Sequence, residues 1–152
     1  MALSHKFTAK DVCAALGGLS RSRLHSWAQL PPFSERPSRE RSARRYSKAD
    51  LLTFAVLQTL ENDFGAKGGQ LMAASAAINQ YLLTPRQASV EEWVFVPLAK
   101  GGAQAAELQC IPVLGAGWII DVAKERQRID VYLGVIPPQQ ELPLISDAKS
   151  SR

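Results

Sequence analysis

The chain has 152 residues, of which 46% are hydrophobic and 21% are charged, and its net charge is +4. This composition fits one globular domain, or one domain with a small appendage, and excludes a large multidomain enzyme. Two widely separated cysteines, Cys13 and Cys110, argue against a disulfide scaffold and against a cysteine-rich zinc site. The longest apolar runs are too short to cross a bilayer, and the N-terminus lacks the apolar core of a signal peptide. We therefore expect a cytoplasmic protein with no membrane partner.

Positive charge is concentrated in the first 60 residues, which hold ten lysines and arginines against four aspartates and glutamates. Guanidinium groups make planar, forked contacts with phosphates and guanine edges, so a cluster of arginines favours nucleic acid as a partner. A solvated, flexible loop has a similar composition, and charge alone leaves both interpretations open. The cluster consists of Arg36, Arg39, Arg41, Arg44 and Arg45.

A short helix is predicted over about residues 9–16. Thr8 and Asp11 have the spacing of a capping box, in which the hydroxyl accepts an unpaired backbone N–H of the first turn. Gly17-Gly18 ends this helix, because glycine reaches the left-handed conformation that a tight turn needs.

A second short helix is predicted over about residues 21–29. Ser20 is a suitable N-cap, Leu24 and Trp27 share an inner face, and Pro31-Pro32 ends the helix. Two short helices joined by a glycine turn form a helix-turn-helix pattern, whose second helix reads the major groove with its N-terminal residues.

A wing and two longer helices follow in the prediction. Residues 30–46 lack helical periodicity, and we interpret them as an extended hairpin, or wing, that holds the arginine cluster. Ser47 and Asp50 form a second capping box and begin a third helix that runs to about residue 62. A fourth helix is predicted over about residues 67–83.

Beyond residue 90 the sequence becomes rich in β-branched and aromatic residues bounded by glycine or proline, which is typical of short strands. The last two predicted strands would form a hairpin, although Lys-Glu-Arg-Gln-Arg also suits a helix through 118–129, and that alternative stays open. We expect the tail from Pro137 to be frayed. The predicted strands are 93–96, 108–111, 118–122 and 129–133.

Four motifs resemble the MerR-type winged helix-turn-helix over about residues 6–66. They are Phe-Thr-Ala-Lys-Asp-Val, Leu-Gly-Gly-Leu-Ser, Arg-Leu-His-Ser-Trp and Ala-Arg-Arg-Tyr-Ser-Lys-Ala-Asp-Leu. The last is the most specific, since it matches the end of the family's wing and the start of its next helix. The resemblance implies a homodimer that pairs through the helix at 67–83.

The resemblance also implies a DNA-binding surface. Arg21 and Arg23 would begin the recognition helix and read bases, and His25 would occupy a phosphate-contacting position. Wing arginines would grip the backbone or the minor groove, while Tyr46 would support the wing or touch the backbone. The full set of candidate DNA-binding residues is Ser20, Arg21, Ser22, Arg23, His25, Arg39, Arg41, Arg44, Arg45 and Tyr46.

The sequence offers little support for an enzyme. It has no glycine-rich phosphate loop and no Cys-x-x-Cys, and its two histidines are not spaced as metal ligands with a cysteine or an acidic cluster. The adjacent acids Glu91-Glu92 are interpreted as solvated, and the two cysteines as buried structural thiols. We expect no catalysis, no cofactor and no metal.

These observations predict an α+β protein in three parts. Residues 1–66 form the winged helix-turn-helix, residues 67–86 the linking and dimerisation helix, and residues 87–152 a small β-rich oligomerisation or effector region. The first functional hypothesis is a sequence-specific, double-stranded DNA-binding transcriptional regulator. One alternative is an architectural, recombination-directing or packaging protein of a mobile element. Another is a β-module that binds a ligand or a protein partner and carries an accessory DNA-binding domain.

Overall fold

The computed structural model describes residues 6–36, 44–84, 91–98, 103–105 and 115–135. It combines helices with an antiparallel sheet, which agrees with the α+β class at that coarse level. A 3-10 turn covers Phe33–Glu35. The helices are α1 (Ala9–Ala15), α2 (Arg21–Trp27), α3 (Lys48–Phe64), α4 (Gly68–Leu83) and α5 (Val122–Tyr132), and the strands are β1 (Trp93–Pro97), β2 (Gln104–Ala105) and β3 (Gly117–Asp121).

The first two helices form as predicted. The Thr8 side chain accepts from the Asp11 backbone N–H at 3.2 Å, while the Asp11 carboxylate accepts from the Thr8 N–H at 2.8 Å, so both halves of the capping box are made. Gly17 and Gly18 adopt φ values of +72° and +84°, which residues with a Cβ rarely adopt, and they turn the chain into α2. Ser20 caps α2 by accepting from the Arg23 N–H at 3.2 Å.

The segment predicted as a wing is only partly described. Within 30–46, a 3-10 turn at Phe33–Glu35 replaces the extended backbone that we expected there, and residues 37–43 lie outside the described ranges. Phe7 and Tyr46 form an isolated antiparallel bridge, with backbone hydrogen bonds of 2.7 and 2.8 Å. This bridge fixes the chain that follows the arginine cluster against the residues that precede α1.

Helix α3 is the centre of the molecule. Its predicted capping box is present, since Ser47 and Asp50 bond each other's backbone N–H, and Gly65 ends the helix at φ +66°. Seven consecutive residues at 51–57 are buried, because α3 packs against α4 and α5 and stacks an aromatic ring on α2. One hydrophobic cluster runs from Val12 in α1 to Ile129 in α5. The parts on either side of residue 66 therefore share a single core.

The sheet has the order β2-β1-β3, and both pairings are antiparallel. Val94 lies opposite Ile120, and both join the main core with Val96. Strand β1 agrees with the strand predicted at 93–96, and β3 overlaps the one predicted at 118–122. The two-residue strand β2 was not predicted, and the strand predicted at 108–111 lies outside the described residues.

The predicted hairpin of 118–122 and 129–133 is wrong, because residues 122–132 form helix α5. The Asp121 side chain accepts from the Lys124 N–H at 3.1 Å and so begins a helix where the strand ends. Val122, Glu125 and Ile129 then recur at helical spacing and are buried. The helical alternative for this segment is correct from residue 122 onward.

Within the ranges that the structure describes, no helix is both long enough and apolar enough to span a membrane.

Candidate nucleic-acid interface

Helix α2 presents one polar face to solvent. Its seven residues make two turns, so positions 21, 22, 25 and 26 fall on the side opposite Leu24 and Trp27, which are 2% and 3% exposed. All four outward residues are exposed. We call this surface the outer face of α2: Arg21, Ser22, His25 and Ser26.

A cleft lies beside the outer face, between α2, the start of α1 and the end of the arginine-rich segment. Its volume is about 540 Å³. Five sequence-predicted site residues line it together, and none of the lining residues that the structure describes is acidic. The lining consists of Ala9, Arg21, Ser22, Leu24, His25, Ala28, Arg44 and Tyr46.

Arg44 is fixed at the rim of this cleft. One guanidinium nitrogen, Nη1, donates to the Ala28 carbonyl at 3.1 Å, at the C-terminal end of α2, where helix carbonyls lack intrahelical partners. Arg44 is nonetheless exposed and forms no ion pair with a described carboxylate at 4.0 Å or less. Its remaining N–H groups face no described acid at that distance, so they retain the capacity to bind an anion.

Tyr46 is a core residue. Only 4% of it is exposed, and its ring meets Phe54 and Phe33 edge-on at centroid distances of 5.3 and 6.5 Å. Burial raises the pKa of the Tyr46 hydroxyl above its usual 10.0, while the charge of Arg44 and a hydrogen bond from it act in the opposite direction. These contacts place Tyr46 in the core, where it packs the chain after the arginine-rich segment against α3.

Arg23 is held by hydrogen bonds and an ion pair within the protein, although the sequence predicted it as a base-reading residue beside Arg21. Its guanidinium lies 2.8 Å from the Glu61 carboxylate and donates to the side-chain amide oxygen of Asn62, Oδ1, at 2.7 Å. It also stacks over the Trp27 ring at 5.3 Å from the centroid. Arg23 would have to break these contacts to reach a base, because they direct its side chain toward the end of α3.

Arg36, the first member of the arginine cluster, is also paired with a carboxylate of the protein, although its own side chain stays 40% exposed. Its guanidinium makes a forked pair of bonds to Asp50, at 2.6 and 2.8 Å, and the Asp50 side chain is only 2% exposed. Burial would raise the pKa of Asp50, but the bonds from Arg36 and from the Ser47 N–H outweigh it and hold that pKa below 3.8. The Asn79 amide of α4 donates to the same carboxylate at 3.1 Å.

The other predicted residues fall into two groups. Ser20 is exposed but acts as the N-cap of α2, and Arg45 is exposed close to the first turn of α1. The pKa of Asp11 in that turn is lowered chiefly by its hydrogen bonds to Thr8, with smaller contributions from the charges of Arg45 and Lys10. Arg39 and Arg41 lie outside the described residues.

Two residues that the sequence argument did not single out belong to this region. Ser26 is exposed on the outer face and donates to the Ser22 carbonyl at 3.1 Å; its position four residues after Ser22 was the available signal. Glu61 accepts bonds from Arg23 and Trp27, and no local pattern marks it because those partners are 38 and 34 residues away.

The acidic residues do not assemble a metal site in the described part of the chain, where no three His, Cys, Asp or Glu side chains come together. Glu92 is not simply solvated, as we had interpreted it. It accepts from Arg126 at 2.7 Å and from the Tyr81 hydroxyl at 2.7 Å, and so joins α4 to α5. Cys13 is a buried free thiol, as expected.

Comparison of the chain with protein-family models, with curated proteins and with solved structures finds no match. The geometry of the outer face and its cleft is therefore the basis for assigning a function to this protein.

Proposed function

We propose that this protein is a sequence-specific, double-stranded DNA-binding transcriptional regulator. Helix α2 enters the major groove with its outer face, and Arg44 and Arg45 hold the adjacent phosphate backbone. Arg21 is the principal base-reading residue, since arginine pairs in a forked manner with a guanine edge. Arg23 is assigned no DNA contact.

The observation that carries this proposal is the convergence of Arg21, Ser22, His25 and Arg44 on one concave surface, with no acidic side chain among its described lining residues. The first three come from α2, and Arg44 follows the arginine-rich segment. A duplex offers phosphates and base edges side by side, so a protein that reads it needs cationic and hydroxyl donors on one continuous surface.

The rest of the fold supports this role by holding α2 rigidly. The Trp27 ring stacks on Phe54 of α3 at 6.2 Å, and Phe54 stacks on Phe33 at 4.5 Å. These stacked rings join α2, α3 and the 3-10 turn, and so order both α2 and the chain that leads to the arginine-rich segment. A preorganised helix loses little conformational entropy on binding.

Pairing of two copies through α4 is part of the same proposal. Met72 and Leu83 are 53% and 59% exposed, and their separation of 11 residues returns them to one side of the helix. A two-fold dimer would present two copies of α2 to half-sites about 34–36 Å apart along the duplex. Apolar side chains on one exposed helix face suit such an interface.

Selection of bound duplexes from random-sequence DNA tests the proposal. We expect enrichment of a two-fold symmetric site. For a dimer that neutralises about eight phosphates, the log of the binding constant for the recovered duplex should fall with the log of the salt concentration with a slope of about −7. Failure to enrich any sequence, together with affinity that does not change with salt, would exclude the proposal. Mass measurement in solution separates the alternatives, because an assembly larger than a dimer favours a packaging protein.

A further inference from the structure

The carboxylate of Glu61 binds two residues of α2 at once. Oε1 accepts from the Arg23 Nε at 3.1 Å, and Oε2 accepts from the indole N–H of Trp27 at 2.9 Å. Arg23 and Trp27 are four residues apart and therefore lie one above the other on the same side of α2. Asn62, the next residue of α3, adds the 2.7 Å bond to the Arg23 guanidinium.

We propose that Glu61 is a positioning residue that fixes the orientation of α2 and withholds Arg23 from DNA. The proposal rests on the proposed function, since it concerns how the same helix meets the duplex. It assigns base recognition to the outer face and gives Arg23 the task of anchoring the opposite flank. We call this group of residues the Glu61 clamp: Arg23, Trp27, Glu61 and Asn62.

The geometry explains why a clamp at this place controls orientation. Two hydrogen bonds to successive turns of a two-turn helix resist both rotation about its axis and sliding along it. The clamp lies on the flank of α2 that faces α3, so a small rotation there would move Arg21 and His25 out of register with base edges. Bidentate contacts with base edges tolerate little displacement. Loss of the clamp should therefore reduce sequence discrimination more than it reduces the stability of the fold.

The rival assignment is that Arg23 leaves Glu61 in the complex and binds DNA directly. The two assignments predict different contributions of Arg23 to the salt dependence of DNA affinity. Each arginine that neutralises a phosphate contributes about 0.9 to the magnitude of the log–log slope. An arginine neutralised by Glu61 in both free and bound protein contributes nothing.

Glu61→Gln is the first test. The glutamine carbonyl oxygen can still accept from Trp27, but the negative charge that holds Arg23 is gone. We expect the released guanidinium to find phosphate, so the salt slope steepens by about 0.9 per subunit. We also expect discrimination between the selected duplex and a scrambled duplex to fall about tenfold, the size of one weakened base contact.

Arg23→Gln is the second test, and it is the one that overturns the proposal. With Glu61 intact, we expect an unchanged salt slope and reduced discrimination spread over several base pairs. A slope made shallower by about 0.9 per subunit would show that Arg23 binds phosphate. Relaxed specificity at a single base pair would show that Arg23 reads a base. Asp130→Asn is the control, since it removes a carboxylate from the ion pair with Lys48 on another part of α3.

The clamp has a readout that needs no DNA. We expect the indole N–H resonance of Trp27, assigned by its loss in Trp27→Phe, to shift in Glu61→Ala, which removes the acceptor, while the fold is retained. An unchanged resonance overturns the clamp, whatever the protein binds. Absence of any duplex binding by the wild type, combined with the expected indole shift, rejects the DNA-binding function and with it the role of the clamp in recognition.

Discussion

Arg21 and Arg23 are two residues apart on the same short helix, yet the structure gives them different surroundings. Arg21 is exposed on the outer face and lines the cleft, whereas Arg23 is paired with Glu61 and Asn62 on the flank that faces α3. Identical side chains in a basic region thus divide into available and engaged groups. A count of arginines overestimates the positive charge available to a partner, because intramolecular carboxylates neutralise part of it.

The same division separates the two ends of the arginine-rich segment. Arg36 forms a forked pair of hydrogen bonds with the buried Asp50, while Arg44 donates to the Ala28 carbonyl, forms no ion pair with a described carboxylate and lies beside the cleft. One end of the segment is thereby anchored to the N-terminus of α3. The other end carries charge to the surface that we propose for DNA.

The largest effect is expected from removal of the Asp50 carboxylate, and we expect it as a loss of folding stability. Asp50→Ala leaves Arg36 and the Asn79 amide without their shared partner and removes half of a capping box. We expect the free energy of unfolding to fall by about 3 kcal/mol, measured by urea denaturation.

The matched control is Asp130→Ala, because its ion pair with Lys48 is surface exposed and should contribute below about 1 kcal/mol. Equal losses in the two variants would contradict the distinction between engaged and exposed charges.

Replacement of an available arginine should act on DNA affinity. We expect Arg21→Ala to weaken binding to the selected duplex by about 1–3 kcal/mol and to relax specificity at one base pair. Stability should change by less than about 0.5 kcal/mol because the side chain is exposed. Fluorescence titration measures the DNA affinity, and Lys124→Ala on α5 is the control. A comparable loss of affinity in that variant would contradict the assignment of DNA binding to α2.

A smaller effect is expected at the rim of the cleft. Arg44→Ala should weaken binding to selected and scrambled duplexes by the same factor, since a phosphate contact carries no sequence information. The salt slope should become shallower by about 0.9 per subunit. Titrations at several salt concentrations check both expectations, and a loss confined to the selected duplex would assign Arg44 to base recognition instead.

The smallest effect is a pH dependence at Asp50. Because the folded state holds the pKa of Asp50 below 3.8, the ionised carboxylate stabilises the protein above that value. The stabilisation is lost as the pH falls from about 3.8 through the folded pKa. Urea denaturation should therefore show that the free energy of unfolding of the wild type exceeds that of Asp50→Asn by a constant amount at higher pH. This difference in free energy should narrow below pH 3.8. A difference that grows on acidification would contradict this sign.

Local sequence patterns predicted the beginnings of the first three helices well. The capping boxes at Thr8 and Ser47, the cap at Ser20 and the glycine turn after α1 all involve residues within a few positions of one another, and the structure contains them. Such interactions depend on spacing alone, so a sequence displays them directly.

The segment after residue 121 shows where local patterns fail. β-branched residues favoured a strand at 129–133, but burial of Glu125 and Ile129 against the core selected a helix. The Glu125 carboxylate accepts from the Thr59 hydroxyl of α3 at 2.6 Å, a contact 66 residues apart in the chain. Tertiary packing overrode the local preference.

The candidate site divides in the same way. Helical spacing brings Arg21, Ser22 and His25 to one face, whereas Arg23, which the sequence grouped with Arg21, lies on the flank toward α3. The engagement of Arg23 depends on Glu61, and that of Arg36 depends on Asp50. The Asp50 carboxylate also accepts from Asn79 of α4. The sequence shows which residues carry charge, and only the fold shows which charges remain available.

The most direct test of the central claim is photo-cross-linking from the outer face of α2. A photoreactive residue placed at Ser22 should cross-link to bases within the selected duplex, while the same residue at Gln80, exposed on α4, should not. Cross-links that form from Gln80 but not from Ser22 would show that another surface meets the DNA, and would contradict the account.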